Sequence, residues 1–209
     1  MAARLTLFTD IISPYAWLAQ AGLDRMTDRP EIEIKPVLFA GLLNHWEHKG
    51  PAEIPAKKVF TFKYVKWIAD RDGVDLNMPP NHPFNPIKAL RLAIVLGATH
   101  DVMMQIFRAI WVDGHLPDNE AGWAGIKAAT NCTDADDLIA SPEVKDSLLS
   151  NGEEAIKRGV FGVPTFCVDD ELFWGADAME MMQDYLADPD GFQARYAGAE
   201  NLVPSSVRK

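Results

Sequence analysis

Arg4-Leu5-Thr6-Leu7-Phe8-Thr9-Asp10, running on into Ile11-Ile12-Ser13-Pro14-Tyr15-Ala16-Trp17, is the stretch on which the fold turns. Its first half alternates and is rich in β-formers, which predicts a strand. Ser is a favoured helix cap and Pro a favoured first helical residue, so Ser13-Pro14 predicts a helix start. Apolar residues at 15, 18, 19, 22, 23 and 26 then keep helical spacing across 15–26. A second β-run, 31–39, carries Ile32, Ile34, Val37, Leu38 and Phe39. Strand, helix and strand in this order predict a βαβ unit with a right-handed crossover.

Outward from that unit the pattern changes. A loop rich in Gly, His and Pro covers 41–55, and helical spacing then fills 59–72, 86–97, 100–112, 118–130 and 141–158. The β-pattern returns at 165–168 and 171–174, and Asp169-Asp170 between them predicts a hairpin. An amphipathic helix is expected over 177–186, with no clear period beyond Pro189. Neither β-piece can bury its sheet alone. The expected architecture is therefore α/β: one four-stranded mixed sheet built from βαβ and ββα, with a large all-helical insertion between them. The corresponding division is a discontinuous sheet domain over 1–45 and 159–190, a helical insertion over 46–158, and a tail over 191–209.

The 209 residues are 48% hydrophobic and 24% charged, which suits a globular chain with a full core. A net charge of −10 argues against a binder of nucleic-acid phosphates or of anionic membranes. No apolar run approaches the roughly 20 residues that span a bilayer. Met-Ala-Ala-Arg leads straight into the first strand, so no signal peptide and a cytoplasmic location are expected. Cys132 and Cys167 lie far apart with no CxxC, and the five histidines show no HExxH spacing. Neither a disulfide scaffold nor a metal site is expected.

Three places hold candidate chemistry. Ser13 stands at a helix N-terminus, where the dipole and free N–H groups stabilise an anion. Its hydroxyl either donates to a thiolate or oxyanion, or simply caps the helix. Val163-Pro164 precedes a buried strand. A cis bond there would present the Val163 backbone to an extended ligand, as in strand addition; an ordinary trans Pro at a strand start is the alternative. Asp177, after Phe173-Trp174-Gly175-Ala176, either grips an ammonium group or complements the last helix dipole.

Together these pieces carry a resemblance. The chain resembles the thioredoxin-fold group that contains the 2-hydroxychromene-2-carboxylate isomerases and kappa-class glutathione transferases, relatives of the disulfide oxidoreductase DsbA. The residues that carry it are 8–19, Gly50-Pro51-Ala52-Glu53-Ile54-Pro55-Ala56-Lys57, His82-Pro83-Phe84-Asn85-Pro86, Ala109-Ile110-Trp111, Val160-Phe161-Gly162-Val163-Pro164-Thr165 and 173–177. It spans Leu5 to about Leu186 and implies a thioredoxin-like sheet domain that binds glutathione. By that resemblance, Ser13 occupies the place of the first thiol of a CxxC protein and hydrogen-bonds the glutathione sulfur. Val163, beside a cis Pro164, pairs with the cysteinyl backbone. Trp174, Gly175, Ala176 and Asp177 hold the γ-glutamyl end, with Asp177 on its ammonium. Lys57 matches a basic residue near the glycyl carboxylate, and His48 stands where the kappa pattern has Asn. Phe84 and Asn85 match a pair that touches the aromatic substrate, Glu53 lines the same cleft, and Trp111 would roof it. Ala176 replaces the Asn or Ser common in the group.

Ser13 cannot form a mixed disulfide and Ala16 cannot resolve one, so thiol–disulfide exchange by the protein itself is not expected. Nothing nearby offers a base to activate Ser13 as nucleophile, so it reads as a thiolate stabiliser. The implied activity is a glutathione-dependent isomerase of aromatic breakdown, working as a homodimer. A kappa-like transferase or a non-catalytic binding protein are the competing readings. Trp67, Trp111 and Trp123 lie on helical patterns and read otherwise as core. Met103, Met104, Met179, Met181 and Met182 read as filler, Cys167 as a buried inert thiol, and Asp134, Asp136 and Asp137 as a solvated helix start.

Overall fold

A computed structural model describes residues 5–26 and 30–199. The first strand, β1 (Leu5–Thr9), is buried along its whole length. Helix α1 (Pro14–Leu23) starts where Ser13-Pro14 predicts it, with the Ser13 hydroxyl accepting from the Ala16 N–H. Strand β2 (Ile32–Pro36) pairs parallel to β1. Strands β3 (Thr165–Val168) and β4 (Glu171–Trp174) form the expected hairpin, and β3 lies antiparallel to β1. The sheet order is β2-β1-β3-β4, so the two ends of the chain meet at the β1–β3 pair. That is the mixed four-stranded sheet assembled from βαβ and ββα.

The second β-run is shorter than its composition suggests. It ends at Pro36, which has no N–H to extend a ladder. The Asp10 carboxylate then accepts from the Phe39 N–H, and helix α2 (Phe39–His45) begins inside the stretch read as strand and loop. A single 3₁₀ turn (Pro51–Glu53) leads into α3 (Pro55–Asp72), four residues earlier than the apolar spacing indicates because Pro55 opens it. Helices α4 (Ile87–Val95), α5 (His100–Trp111), α6 (Glu120–Ala129), α7 (Ala135–Leu138) and α8 (Pro142–Lys157) complete the helical block. Thr99, Asn119 and Ser141 each cap the helix that follows.

After β4, a 3₁₀ turn (Ala176–Ala178) takes the first residues of the expected last helix, and α9 (Met179–Ala187) takes the rest. The stretch after Pro189 is not structureless. Asp188 caps α10 (Pro189–Tyr196), and Phe192 packs its ring against Phe173 and Tyr185 at 6.1 and 5.4 Å. The remainder of the expected tail, 200–209, lies outside the described residues.

One core joins the sheet to the helical block: Leu5, Leu7 and Ile11 share it with Trp17, Leu90, Phe107 and Trp111. A smaller cluster under α2 and α8 buries Phe8, Val37, Val160 and Cys167. Trp111 and Trp123 are core residues, but Trp67 is not: it is 55% exposed and stacks on Tyr64 at 5.9 Å along an open face of α3. Helical spacing puts apolar residues on one face without saying whether anything covers it. No described helix is long and apolar enough to cross a membrane.

Candidate active site

The site is built where β1 runs into α1. Two peptide units link Ile11 to Ser13, and each is held at both ends. The Ile11 carbonyl accepts from the Trp111 indole N–H at 2.9 Å, and the Ile12 N–H of the same unit donates to the Asp10 carboxylate at 3.0 Å. The Ile12 carbonyl accepts from His82 Nε2 at 2.9 Å, and the Ser13 N–H donates to the Asp10 carbonyl at 3.0 Å. Half of these partners come from Asp10, close by in the chain. The other half come from the helical block.

Asp10 is fully buried, and that burial pushes its carboxyl up to about 7 against three backbone N–H donors that pull it down. Its two oxygens join the Ser13 loop to the start of α2. No acidic residue stands in the first turn of α1, so no side chain there competes for the helix N-terminus.

Facing this loop is the segment before β3. The Val163–Pro164 peptide is cis, the arrangement expected for a backbone offered to a ligand. The Ser13 hydroxyl donates to the Val163 carbonyl at 3.3 Å, and the Gly175 N–H donates to the Pro164 carbonyl at 2.9 Å. Ser13, Val163, Pro164 and Gly175 therefore come together from separate stretches of the chain. Trp174 stands 55% exposed with its ring edge-on to Phe161 at 5.0 Å. Its indole nitrogen lies 2.5 Å from where a Cβ on Gly162 would sit, so any larger residue there would force the Trp174 ring to move. Gly175 takes φ +101°, and the Asp177 carboxylate approaches within 2.4 Å of its absent Cβ position.

Asp177 is exposed, while Ala176 is partly covered. Asp177 opens onto a cleft of about 350 Å³ between α1, α3 and α9, shared with Arg25, Arg71, Asp72 and Glu180. Tyr15, on the first turn of α1, is half-buried with its phenol against Thr61. Burial raises its pKa first, and the neighbouring Tyr64 and Asp177 raise it further.

The remaining candidates are placed less directly. His48, Glu53 and Lys57 are exposed before and within the first turn of α3, and Glu53 accepts from the Gly50 N–H. Among the described residues none of the three hydrogen-bonds Ser13, Val163 or Asp177. Lys58, not Lys57, points inward, its ammonium on the His82 carbonyl at 2.7 Å. Phe84 is buried, 5.9 Å from the His82 ring. Asn85 spends its side-chain oxygen on the Ile87 N–H at the head of α4. Trp111 does not roof the cleft: it is fully buried beneath the Ser13 loop, and its one side-chain polar atom is committed to Ile11. Reading from sequence alone overlooked Asp10, Tyr15, Lys58 and the ring of His82. The available signals were an acid directly after the first β-run and a histidine wedged between Asn81 and Pro83.

Comparison with known proteins agrees with this fold. Residues 4–187 match the family described as a DSBA-like thioredoxin domain. A 2-hydroxychromene-2-carboxylate isomerase of Pseudomonas sp. (strain C18) is 35% identical over 187 residues, covering 85% of this chain and 87% of that protein. Glutathione s-transferase kappa 2 of Caenorhabditis elegans is 28% identical over 204 residues, covering 87% of this chain and 91% of that protein. A solved 2-hydroxychromene-2-carboxylate isomerase structure shares the fold with a TM-score of 0.78 at 20% identity, covering 95% of this chain and 99% of that one. With its mixed sheet joined at the β1–β3 pair, a serine capping the first helix and a cis proline opposite, the chain belongs to the DSBA-like thioredoxin domain family.

Proposed function

We propose that this chain is a glutathione-dependent isomerase that interconverts 2-hydroxychromene-2-carboxylate and trans-o-hydroxybenzylidenepyruvate. The observation that carries the reading is the Ser13 hydroxyl at the head of α1, facing Val163 beside the cis Pro164. A hydroxyl there can hold a thiolate but cannot become one. Both cysteines are free and buried elsewhere: Cys167 on β3, its thiol pushed up to about 11 by burial, and Cys132 just beyond α6. The sulfur must then come from outside, and a 35% identical relative that is a 2-hydroxychromene-2-carboxylate isomerase supports the choice of reaction.

Bound glutathione would supply the sulfur nucleophile, adding reversibly to an electron-poor ring carbon so that ring opening, rotation and elimination return it unchanged. The chain's own residues do the rest. The dipole of α1 and the Ser13 O–H stabilise the thiolate. The 3.3 Å bond from Ser13 to Val163 is long, so the hydroxyl gives it up at little cost and turns to the sulfur. The Val163 carbonyl is then released for the cysteinyl N–H, in strand-addition fashion. Asp177 takes the γ-glutamyl ammonium, with Trp174, Gly175 and Ala176 shaping that end. Lys57 serves the glycyl carboxylate, with His48 nearby. Phe84, Asn85 and Glu53 line the side that takes the aromatic substrate. The enzyme acts in aromatic breakdown, in the cytoplasm and as a homodimer.

Turnover of the chromene carboxylate with free thiol followed in parallel tests the reading. Isomerisation that requires glutathione and leaves its concentration unchanged is the expected result. Consumption of glutathione with an electrophile would instead make the protein a kappa-like transferase. Glutathione binding without either reaction would make it a binding protein.

A further inference from the structure

His82 reaches the Ile12 carbonyl from the helical block, and its own surroundings define its chemical state. A carbonyl can only accept, so Nε2 carries the hydrogen in the 2.9 Å bond to Ile12. The other ring nitrogen, Nδ1, is buried without a partner among the described residues. The ring is boxed by Phe62 at 5.0 Å, Phe84 at 5.9 Å and Trp111 at 5.9 Å. A proton on Nδ1 would be a buried charge with no acceptor, and Lys58 already sits on the His82 carbonyl. Burial lowers the His82 pKa most, the hydrogen bond to Ile12 opposes it, and the Lys58 charge lowers it further, while the carbonyl partner fixes Nε2 as the donor.

The Ile12–Ser13 peptide is planar, so fixing its two polar groups fixes the plane from which Ser13 departs. Its N–H is held by the Asp10 carbonyl, a contact local in sequence. Its C=O is held by His82, far away in the chain. We infer that His82 is a positioning residue for Ser13: through the Ile12 carbonyl it sets the direction of the hydroxyl proposed to hold the glutathione sulfur. Trp111 acts likewise on the peptide before, but its bulk also fills the core. His82 is the partner whose hydrogen bond can be removed with less disturbance to packing.

The inference rests on the proposed thiolate-stabilising role of Ser13 for its consequence in catalysis, but not for the geometry itself, and the test separates the two. His82→Phe keeps an aromatic ring in the box and deletes the N–H, whereas His82→Gln places an amide N–H at a similar reach. Where His82→Phe does not fold, His82→Met, flexible enough to fill the same space, replaces it. The first readout is amide hydrogen exchange in the free protein. Exchange of the Ser13 N–H should quicken by about tenfold or more in the Phe variant and return toward wild type in the Gln variant, while β3 amides stay unchanged. The second readout is the ultraviolet thiolate band of bound glutathione against pH, where the Phe variant should need a higher pH to develop the band while its affinity for the protonated thiol, measured at a pH below the band, stays unchanged. Wild-type Ser13 exchange in the Phe or Met variant would overturn the inference. Absence of the thiolate band in the wild-type protein would instead overturn the glutathione reading, leaving Ser13 exchange to decide the role of His82. A Gln variant as loose as the Phe variant would also overturn the inference, because ring packing rather than the hydrogen bond would then hold the loop.

Discussion

The Ser13 hydroxyl and the Val163 carbonyl, 150 residues apart in sequence, meet at 3.3 Å across the mouth of the site. One oxygen thus serves two ends of the chain, accepting from the Ala16 N–H at the head of α1 and donating to the residue before Pro164. A hydroxyl has one proton. Whatever anion arrives competes with Val163 for it, and the same exchange frees the carbonyl for the ligand backbone.

Ser13→Ala removes that proton and the cap together. Turnover should fall by more than tenfold, about 1.4 kcal/mol in the barrier, while stability falls by only about the 1 kcal/mol typical of a lost cap. Steady-state rates alongside urea unfolding make the comparison. Turnover within twofold of wild type would mean that the dipole of α1 suffices to hold the thiolate.

Asp10 makes stability depend on pH in an unusual direction for a carboxylate. Its pKa is about 7 in the fold against an ordinary 3.8. Between those values the folded chain keeps a proton that the unfolded chain has lost, so this contribution to stability is complete below about pH 4 and is lost as pH rises through about 7. The span corresponds to about 4 kcal/mol, at about 1.4 kcal/mol per pKa unit. Asp10→Asn should flatten this slope. It should also cost about 1–3 kcal/mol near pH 5, because the amide NH₂ must face either the Ile12 or the Phe39 N–H. Urea unfolding of both proteins across that range decides. Equal slopes would locate the pH dependence elsewhere.

Sequence reading succeeded where the signal is local. Ser13-Pro14, Ser141-Pro142 and the hairpin around Asp169-Asp170 announce themselves through caps, proline and alternation, and the sheet follows once both β-pieces must share a core. It failed where one residue's role is decided by another far away. Phe39 has the composition of a strand, yet the Asp10 carboxylate turns it into a helix start. Trp111 and Trp67 carry the same helical signal, yet one lies under Ile11 and the other faces outward. The capping serine was legible; the His82 and Trp111 hydrogen bonds that orient its loop were not, because nothing near positions 82 or 111 marks their partner.

The docking of α10 is open to a direct test. Phe192 is buried against Phe173 and Tyr185, which lie on β4 and α9. Phe192→Ala should cost about 3 kcal/mol, the low end for a buried phenylalanine, since the site borders solvent and can partly collapse. The melting temperature should fall while turnover at low temperature is retained. An unchanged melting temperature would show that α10 adds nothing to the core.

Asp177 allows binding to be separated from chemistry. It opens onto the cleft beside Arg71 and Glu180, and its carboxylate is exposed. If it grips the γ-glutamyl ammonium, its loss removes an interaction present equally in the ground and transition states. Asp177→Asn should then raise the glutathione dissociation constant by about tenfold, the lower part of the range for a charged hydrogen bond because solvent screens an exposed pair. The rate at saturating glutathione should recover, as expected when uniform binding alone is lost. The structural account is that Asp177 serves the helix dipole, and it predicts a small drop in melting temperature with unchanged affinity. The two accounts also differ in salt: a screened ammonium contact weakens with ionic strength in the wild type and should leave the Asn variant nearly insensitive. Calorimetric titration of both proteins at low and high salt distinguishes them. Unaltered affinity would remove Asp177 from the site.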